Sequence, residues 1–522
     1  MPSGPTIYLG DDVIDGDTFQ LQAWKAAAGF RAIGVGQGDC IALLMRNDGV
    51  FLEATVGAQK IGAYVVPLNW HFKADELLYV LRDSQPKVLV AHADLLPTIA
   101  AELPSQMRVV VVPPPAAIAR AYGPDRNRRA IPVGLPQWSS WISPQQPIAD
   151  TNVSAPDSVI YTSGTTGRPK GVRRKPPSSP DQAAANEKMR AAVFDIGAGA
   201  RVLVSAPLYH TAPNYFSLRA IRYADSLVLA TKFEPEPFLA LIEKYRITHV
   251  YAVPTMFVRL LALDQAIRDK YDLSSLRFVL HAGGPCAPAI KRQMIEWLGP
   301  VISEYYGSTE HGPITHCSSE EWLAHPGTVG RAVPGAVIRI EDDEGKPLPT
   351  GSAGEILARN TAHADFTYHN RQAERDQLQR GELIMTGDIG YLDADGFLYL
   401  CDRKRDVIIS GGVNIYPAEI ESAIAEFPGV QDSAVFGIPH PEFSETVMAI
   451  VQPRAGTELD HTRLRAFLSE RLARYKVPSG IEIRHHLPRE ESGKIRKRTL
   501  RAPFWENHDA HSIQRHSNPD AD

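Results

Sequence analysis

Apolar and polar positions in the first third of the chain switch repeatedly between a helical period and short continuous apolar runs. In "KADELLYVLRDSQPKVLVAH", Leu77, Leu78 and Leu81 recur at helical spacing, and the apolar run "KVLVAH" follows them. "FLEATVGAQKIGAYVVPLN" repeats this order, "RVVVVPP" is a further apolar run, and "RITHVYAVPTMFVRLLAL" and "LRFVLHAGGP" return to it later. Strands that are apolar at consecutive positions are typical of a parallel sheet covered on both faces. The pattern predicts an α/β fold.

The pattern changes from about residue 327. "GTVGRAVPGAVIRIEDDEGKPLPTGSAGEILAR" alternates short strands with turns rich in Gly, Pro and Asp, which predicts a small β-barrel or meander. Helix, strand and helix patterns follow, after a cluster of five charges from Asp402 to Asp406 between two apolar strands. We therefore predict an N-terminal domain over residues 1–404 and a smaller C-terminal domain over 405–506. The polar stretch 507–522 is expected to be a disordered tail.

Composition excludes several classes of protein. The chain has 522 residues, a formal charge of −5, 44% hydrophobic and 22% charged residues, which are ordinary globular values. It has no basic stripe of the kind that binds nucleic acid and no apolar run of membrane-spanning length. The acidic N-terminus is unlike a signal peptide, and the four scattered cysteines form no C-x-x-C pair. We expect a cytoplasmic α/β protein with reduced thiols.

The stretch "YTSGTTGRPKG" at 161 to 171 is the first candidate for chemistry. Its glycines permit close approach and positive φ, so that successive backbone N–H groups can point at an anion. Hydroxyl groups and one cation add to this capacity: Ser163, Thr165, Thr166 and Lys170. It is not a Walker loop, because Pro169 and Gly171 flank the lysine. The alternative, an ordinary surface loop, is disfavoured by the full ordered string.

Other candidate groups follow, each weak alone. In "YYGSTE", the Glu310 carboxylate is suited to magnesium and Tyr306 to stacking on a base, although a turn with one exposed acid would look the same. In "TGDIGYLDADGFLYLCDRKRD", Asp388 and Arg403 could hold ribose hydroxyls, or could be solvated strand ends. "SGGVNIYPAEIE" predicts a tight turn and then a helix. Lys494, in "REESGKIRKR", could equally be a solvated lysine of a basic tail.

Taken in order, these motifs resemble those of the AMP-forming adenylating enzymes, which include acyl- and aryl-CoA synthetases, adenylation domains of peptide synthetases and firefly luciferase. The resemblance spans about residues 20 to 505, and "YTSGTTGRPKG" and "DRKRDVIISGGVNIYPAEIE" are its most specific parts. It implies a large N-terminal domain of two α/β sheets and a distorted β-barrel, followed by a small mobile α+β lid. It also implies ATP, Mg²⁺ and coenzyme A as cofactors or co-substrates.

The resemblance assigns residues to the nucleotide. Those expected to contact ATP are Thr162, Ser163, Gly164, Thr165, Thr166, Gly167, Lys170, Gly283, Gly284, Pro285, Tyr306, Gly307, Asp388 and Arg403. The stretch 163 to 170 would hold the β- and γ-phosphates, and Tyr306 would stack on adenine beside Gly283 to Pro285. Asp388 and Arg403 would hold the ribose. Glu310 as metal ligand, Thr309 and Lys494 are the expected catalytic groups, and Lys494 would bind the carboxylate and α-phosphate oxygens together.

A second half-reaction with a thiol is implied as well. The family places a hinge two residues after the ribose arginine, at Arg405, about which the lid would rotate. That rotation would withdraw Lys494 and bring Ser410, Gly411 and Gly412 to the coenzyme A tunnel.

The acid is expected to be fatty or bulky and hydrophobic, as in bacterial ligases for fatty, bile-acid or steroid side-chain acids. His210, in "PLYHTAP", stands where amino-acid-activating relatives carry an aspartate, and an imidazole cannot pair with an ammonium in its place. Residues expected to line the acyl pocket are Tyr209, His210, Asn214, Tyr215, Val253, Met256, His281 and Ala282.

The leading interpretation is therefore an AMP-forming acyl-CoA ligase of lipid metabolism. It acts on a small carboxylic acid, ATP and coenzyme A, without nucleic acid or integral membrane association, as a monomer or homodimer. The alternative is a stand-alone adenylating enzyme that loads a carrier protein. A degenerate nucleotide-binding protein is disfavoured because Lys170, Glu310, Asp388 and Lys494 are all present.

Overall fold

The computed structural model describes residues 4–104, 106–123, 134–148, 153–162, 168–411, 413–489 and 495–505, which contain five sheets and the helices around them. In chain order the strands are β1 Thr6–Leu9, β2 Asp12–Ile14, β3 Cys40–Leu44, β4 Tyr64–Pro67, β5 Val88–His92, β6 Arg108–Val112, β7 Ile160–Thr162, β8 Lys170–Arg174, β9 Arg201–Val204, β10 Ser226–Leu229, β11 His249–Ala252, β12 Phe278–His281, β13 Ile302–Ser308, β14 Gly312–Cys317, β15 Arg331–Ala332, β16 Ala336–Glu341, β17 Gly354–Asn360, β18 Phe366–Tyr368, β19 Gln379–Arg380, β20 Leu383–Leu392, β21 Leu398–Arg403, β22 Ile408–Ser410, β23 Val413–Ile415, β24 Val430–His440, β25 Ser444–Pro453 and β26 Gly480–Ile483. The α-helices are α1 Gly16–Ala32, α2 Gly49–Lys60, α3 Ala74–Ser84, α4 Ala116–Ala121, α5 Trp138–Ile142, α6 Pro180–Phe194, α7 Thr211–Tyr223, α8 Pro235–Lys244, α9 Pro254–Leu261, α10 Gln265–Arg268, α11 Pro288–Leu298, α12 Ser319–Ala324, α13 Gln372–Asp376, α14 Pro417–Ala425 and α15 His461–Ser469. None of these helices has the length and apolar content that crossing a bilayer would require.

The largest sheet has nine strands in the order β15-β14-β13-β12-β11-β9-β10-β1-β2. Its central strands run parallel, whereas β2, β14 and β15 join antiparallel at the two ends. The strands β11 and β12 are buried at every position, as expected for a sheet covered on both faces. Because β9, β11, β12 and β13 are parallel neighbours, their carboxyl ends lie side by side at one edge of the sheet.

A second, four-stranded sheet is entirely parallel, in the order β4-β3-β5-β6. Its strands β5 and β6 are the apolar runs "KVLVAH" and "RVVVV", and α2 and α3 precede β4 and β5 as the helical spacing predicts. The prediction of two α/β sheets is therefore confirmed.

Antiparallel strands follow in the region for which the sequence predicts a barrel or meander. They form the sheet β16-β17-β20-β19, with β21 also paired to β20. A separate three-stranded sheet, β18-β8-β7, joins the antiparallel pair β7 and β8 to a strand almost two hundred residues later. This pairing brings two distant segments to the same place.

The C-terminal part is a smaller α+β unit. Its sheet has the order β23-β22-β25-β24, with β26 parallel to β25. The helices α14 and α15 bury Ile420, Ile424, Leu464 and Leu468 against it in a core of their own. A large α/β part followed by a small α+β part is the predicted fold class.

Candidate active site

The hairpin of β7 and β8 carries the first group of predicted residues. Thr162 pairs with Lys170 across the hairpin. This is the pair closest to the residues that connect β7 to β8. Five residues of the predicted phosphate loop, Ser163, Gly164, Thr165, Thr166 and Gly167, lie outside the described residues.

Glu310 faces this hairpin. Its Oε1 accepts a hydrogen bond from the Tyr368 hydroxyl at 3.1 Å and from the Thr162 hydroxyl at 3.4 Å. Burial, reinforced by Glu310, raises the pKa of the Tyr368 hydroxyl, which therefore remains a donor. The result is a carboxylate surrounded by oxygen atoms at the mouth of the predicted phosphate loop.

Thr309 is held from the other side. Its hydroxyl lies 2.6 Å from the hydroxyl of Thr211, the first residue of α7. This contact attaches the "YGSTE" turn to the helix that begins directly after His210.

Lys170 has an ion-pair partner. Its Nζ contacts Glu374 Oε2 of α13 and lies 5.2 Å from the centre of the Tyr368 ring. The hydrogen bond from Lys170 lowers the pKa of the Glu374 carboxyl, which is therefore ionised at neutral pH. The Lys170 amino group therefore lies beside Tyr368, which itself donates to Glu310, and its charge is paired with Glu374.

Arg174 supports the turn from beneath. Its guanidinium donates to the carbonyl oxygens of Thr309 at 3.0 Å, of Ala364 at 2.8 Å, and of Glu310. The side chain is buried. The turn itself requires glycine at position 307, because a Cβ there would lie 2.1 Å from the carbonyl oxygen of Gly312.

A second cluster joins three of the predicted nucleotide residues. Tyr306 donates from its hydroxyl to Asp388 Oδ2 at 2.6 Å, and Arg403 Nε lies 2.9 Å from Asp388 Oδ1. Asp388 and Arg403 are opposite each other on β20 and β21. Burial, together with Asp388, raises the pKa of the Tyr306 hydroxyl well above its usual value, so Tyr306 is a donor here. This network fixes the orientation of the one carboxylate that the sequence assigns to ribose.

The carboxyl ends of the parallel strands bring further predicted residues together. Tyr209 and His210 follow β9, Val253 and Met256 follow β11, and Ala282 to Pro285 follow β12. Gly283 has φ of +85° and lies beside Val253, since a Cβ there would be 3.8 Å from Val253 Cγ1. Tyr306 and Gly307 end the neighbouring strand β13. A crevice at this edge is the usual ligand site of open α/β sheets.

His210 is the N-cap residue of α7. Burial lowers the pKa of its imidazole to about 4, so it is neutral at physiological pH. A neutral ring supports the expectation that this position does not bind an ammonium group.

Three of the predicted acyl-pocket residues have partners elsewhere. Asn214 is buried, donates to the carbonyl of Leu208 at 3.0 Å and lies 3.2 Å from the Ser158 hydroxyl. His281 is fully buried, 3.5 Å from a Glu304 carboxylate that binds Lys291 at 2.6 Å. Tyr215 packs under the guanidinium of Arg190, 4.7 Å from it. These side chains support the walls around the strand ends.

The predicted hinge lies in a single 3₁₀ turn, Lys404–Asp406. Asp402, just before it, accepts a hydrogen bond from the backbone N–H of Ala418 in α14 at 2.8 Å. Lys404 instead contacts Glu355 and Asp343 of the preceding part of the chain, at 3.1 and 3.2 Å. The Arg405 side chain is 57% exposed.

The predicted coenzyme A segment follows the hinge. Ser410 ends β22, and Gly411 has φ of +57° and donates to the Phe443 carbonyl at 2.9 Å. Gly412 and Lys494 lie outside the described residues.

Sequence reasoning did not single out four residues that complete the site: Thr211, Arg174, Tyr368 and Glu374. Arg174 could have been identified from the sequence, because Lys170, Val172 and Arg174 are at alternate positions of one strand and therefore share a face. Tyr368 and Glu374 stand in "DFTYHNRQAERD", which has no recognisable motif. They reach the site only through the pairing of β18 with β8.

Comparison with known proteins agrees with this geometry. The family model described as AMP-binding enzyme matches residues 16–365, and that of the AMP-binding enzyme C-terminal domain matches 419–494. A feruloyl-CoA synthase of an Amycolatopsis species is 33% identical over 485 residues, 92% of this chain and 92% of that protein. A long-chain-fatty-acid–CoA ligase of Bacillus subtilis is 31% identical and covers 93% of this chain and 89% of its own. Among solved structures, the anthranilate CoA ligase AuaEII bound to anthranoyl-AMP superposes with a TM-score of 0.84 at 26% identity, covering 96% of this chain and 94% of that one.

Proposed function

Since the chain belongs to the AMP-binding enzyme family and is an AMP-forming acid–thiol ligase of the acyl-CoA synthetase type, we propose that it converts a hydrophobic carboxylic acid to its coenzyme A thioester through an acyl-adenylate. ATP and coenzyme A are the co-substrates that this family uses. The acid and the residues that act on it are the parts proposed here.

The network of Tyr306, Asp388 and Arg403 carries the proposal. Asp388 accepts from Tyr306 on one oxygen at 2.6 Å, and Arg403 Nε lies 2.9 Å from the other, so the orientation of its carboxylate is fixed. A carboxylate held in this way can accept hydrogen bonds from two ribose hydroxyls. Adenine then lies against Tyr306 and the turn Gly283 to Pro285, at the carboxyl ends of β12 and β13.

The phosphates extend from the ribose toward the β7–β8 hairpin. Thr162 and Lys170 form the pair next to the connecting residues of this hairpin, and the Thr162 hydroxyl contacts Glu310. The resemblance adds Ser163 to Gly167, whose N–H and hydroxyl groups would surround the β- and γ-phosphates. Lys170 would supply one positive charge, part of which Glu374 neutralises.

The residues around Glu310 fit a magnesium ion. Mg²⁺ prefers oxygen ligands and is usually bound by one or two carboxylates together with substrate phosphates, and Glu310 lies among the hydroxyls of Thr162 and Tyr368. When bound, the ion would neutralise phosphate charge and favour departure of pyrophosphate.

Adenylation joins two anions, so the chain must hold them together. A carboxylate oxygen of the acid attacks the α-phosphorus, and the bond from that phosphorus to the bridging oxygen of pyrophosphate breaks. Thr309, which Thr211 contacts at 2.6 Å, would donate to an α-phosphate oxygen. Lys494, by resemblance, binds oxygens of both reactants and stabilises the charge that develops between them.

Thioester formation needs a different lid position. The sulfur of coenzyme A attacks the carbonyl carbon of the mixed anhydride, AMP leaves with the bridging oxygen, and the thiol proton goes to solvent. We propose that the part of the chain from Arg405 onward rotates between the steps, so that Ser410 to Gly412 replace Lys494 at the tunnel.

The acid is proposed to be fatty or bulky and hydrophobic. His210 is neutral, and the apolar residues Val253, Met256 and Ala282 follow the parallel strands β11 and β12 at the same edge of the sheet. The names of the relatives above refer to feruloyl, long-chain fatty and anthranoyl groups, each of which carries an aromatic ring or a long alkyl chain.

The test combines two assays over a panel of aliphatic and aromatic acids. Acid-dependent exchange of pyrophosphate into ATP reports adenylation, and a chromatographic assay with free coenzyme A reports the thioester. We expect both activities in the native protein, and expect Lys494→Ala to lose exchange while still binding ATP. An exposed lysine on α8, replaced in Lys244→Ala, serves as the control.

Unchanged exchange in Lys494→Ala would remove the role given to that lysine. Adenylation without any thioester from free coenzyme A, but with transfer to a carrier protein, would assign the chain to the alternative function. Absence of exchange with every acid would contradict the proposal.

A further inference from the structure

Two tyrosines, Tyr251 and Tyr305, lie on the same face of the nine-stranded sheet. Tyr251 of β11 is level with Leu280 of β12, Leu280 is level with Ser303 of β13, and Tyr305 follows Ser303 by two residues. Residues in register on parallel strands share a face, and so do residues two apart on one strand. The sequence analysis assigned no role to either tyrosine, and the steps above use neither.

The rings of both tyrosines pack against aromatic neighbours. Phe216 of α7 lies 6.0 Å from Tyr251 and Phe194 of α6 lies 5.9 Å from Tyr305, measured between ring centres. Phe194 and Phe216 are 6.2 Å apart, so the four rings form one cluster between the sheet and these helices. Burial raises the pKa of both tyrosine hydroxyls, so each keeps its proton and can donate a hydrogen bond.

The hydroxyl groups of these tyrosines have no partner in the protein. Neither forms a hydrogen bond with any residue that the structure describes. Neither oxygen belongs to the fully enclosed side-chain atoms that lack a bond, so both keep some accessible surface. A tyrosine hydroxyl in an apolar setting usually has a partner, so two such groups on one face point to a ligand with a hydrogen-bonding atom.

The Tyr251 hydroxyl reaches the crevice at the carboxyl ends of the strands. A Cβ added to Gly283 would lie 3.7 Å from this hydroxyl oxygen and 3.8 Å from Val253 Cγ1. Gly283 is exposed, and a Cβ added to Gly284 would meet nothing within 4 Å, so the turn after β12 is open here. Because glycine has no side chain, nothing of Gly283 covers the hydroxyl. An acid held at this edge therefore meets Tyr251 without passing through the core.

We propose that Tyr251 and Tyr305 determine which acid is accepted, because their hydroxyl groups bind a hydroxyl or carbonyl oxygen on the hydrophobic body of the substrate. This inference rests on the proposed function. With the reactive carboxylate at Thr309 and the body of the acid beside Val253, the second oxygen of the substrate lies against Tyr251. An acid without that oxygen leaves both tyrosine hydroxyls unpaired in a site from which it excludes water, and such an acid is disfavoured.

The test compares hydroxylated acids with their parents. Cinnamate and its 2-, 3- and 4-hydroxy derivatives place the hydroxyl at three fixed distances from the carboxylate, and decanoate with 10-hydroxydecanoate is a flexible pair. Pyrophosphate exchange gives kcat/KM for each acid. We expect at least one hydroxylated acid to exceed its parent by about tenfold or more, because the parent leaves a buried hydroxyl unpaired.

Tyr251→Phe removes the oxygen and keeps the ring. The ratio of the two kcat/KM values should then fall toward one, because the value for the hydroxylated acid falls while that for its parent stays the same or rises. Tyr305→Phe should lower the same ratio. Tyr475→Phe, which removes the hydroxyl of a tyrosine that is 54% exposed, should keep the native ratio.

Urea unfolding separates this role from a structural one. A hydroxyl without a bond in the protein adds nothing to the native packing, so Tyr251→Phe should not lower the free energy of unfolding. Hydroxylated acids used no better than their parents, or an equal loss for both members of a pair in Tyr251→Phe, would overturn the proposal. A higher Kd for ATP in Tyr251→Phe, measured by isothermal titration, would also overturn it, because the hydroxyl would then belong to the nucleotide site. Exchange with cinnamate or decanoate shows independently whether the proposed function holds.

Discussion

Lys170 meets a nucleotide phosphate with part of its charge already neutralised, because its amino group is bound to Glu374. The side chains are 11% and 32% exposed, and Tyr368 covers one side of the amino group. The Glu374 carboxylate therefore weakens the attraction of Lys170 for triphosphate, and its own negative charge also repels the phosphates. Replacing this acid in Glu374→Gln should remove both costs, while the amide oxygen can still accept from Arg371, which lies 3.3 Å from Glu374 Oε1.

The size of the effect follows from the exposure of the pair. An ion pair of this kind stabilises the free enzyme by about 1 kcal/mol, which corresponds to about a fivefold change in an equilibrium constant. We therefore expect the KM for ATP to fall about fivefold in Glu374→Gln. The difference should shrink as salt is added, because salt screens a pair that is partly exposed.

The assay is pyrophosphate exchange at saturating acid with ATP varied, at low and at high ionic strength. Glu382→Gln, which neutralises an exposed acid between β19 and β20, controls for the change in net charge. A higher KM in Glu374→Gln would refute the reasoning and show that Glu374 orients Lys170 for phosphate. An unchanged KM would show that the pair opens without cost.

Asp388→Asn should raise the Kd for ATP about tenfold or more, because Arg403 and Tyr306 lose a charged acceptor and ribose loses its carboxylate. Isothermal titration with ATP would measure this Kd, and unchanged affinity would contradict the ribose assignment. His210→Phe should change the pH dependence of stability. The folded pKa of about 4 lies below the usual 6.5, so the unfolded chain binds the proton first, and the native protein loses stability as pH falls from 6.5 to 4. Removing the imidazole should abolish up to about 3 kcal/mol of that loss, measured by urea unfolding across this range, and parallel pH profiles for the two proteins would refute the burial argument.

The sequence predicts most of the fold because its signals are local. Apolar runs such as "KVLVAH" identify buried parallel strands, and the change near residue 327 identifies the antiparallel region. The order of strands within a sheet is not local. Nothing in the chain before folding shows that β9 lies between β10 and β11, although this order brings the segments that follow β9 and β11, with His210 and Val253, to the same edge of the sheet.

The same difference between local and non-local signals applies to the residues of the candidate site. Asp388, Arg403, Glu310 and Lys170 stand in motifs whose residue types and spacing indicate nucleotide chemistry, and all four are near the partners that such chemistry needs. Glu374 could not be found, because the motif that contains Lys170 gives no sign of a carboxylate two hundred residues later. The roles of Asn214 and His281 in the core were equally hidden, since burial and hydrogen bonding depend on neighbours from other elements.

Asp402 and Lys404 are two residues apart but bind to different parts of the chain, one after Arg405 and one before it. Asp402 accepts from the first turn of α14, beyond Arg405, whereas Lys404 is tied to Glu355, before it. A rotation at Arg405 would leave the lysine contact intact and separate Asp402 from Ala418, so each catalytic cycle would break and remake one helix-capping bond worth about 1 kcal/mol. That bond, together with the attraction of Lys497 for Asp402, would then contribute to the dwell time of the observed orientation, and with it to the interval for which a reactive anhydride waits before the thiol arrives.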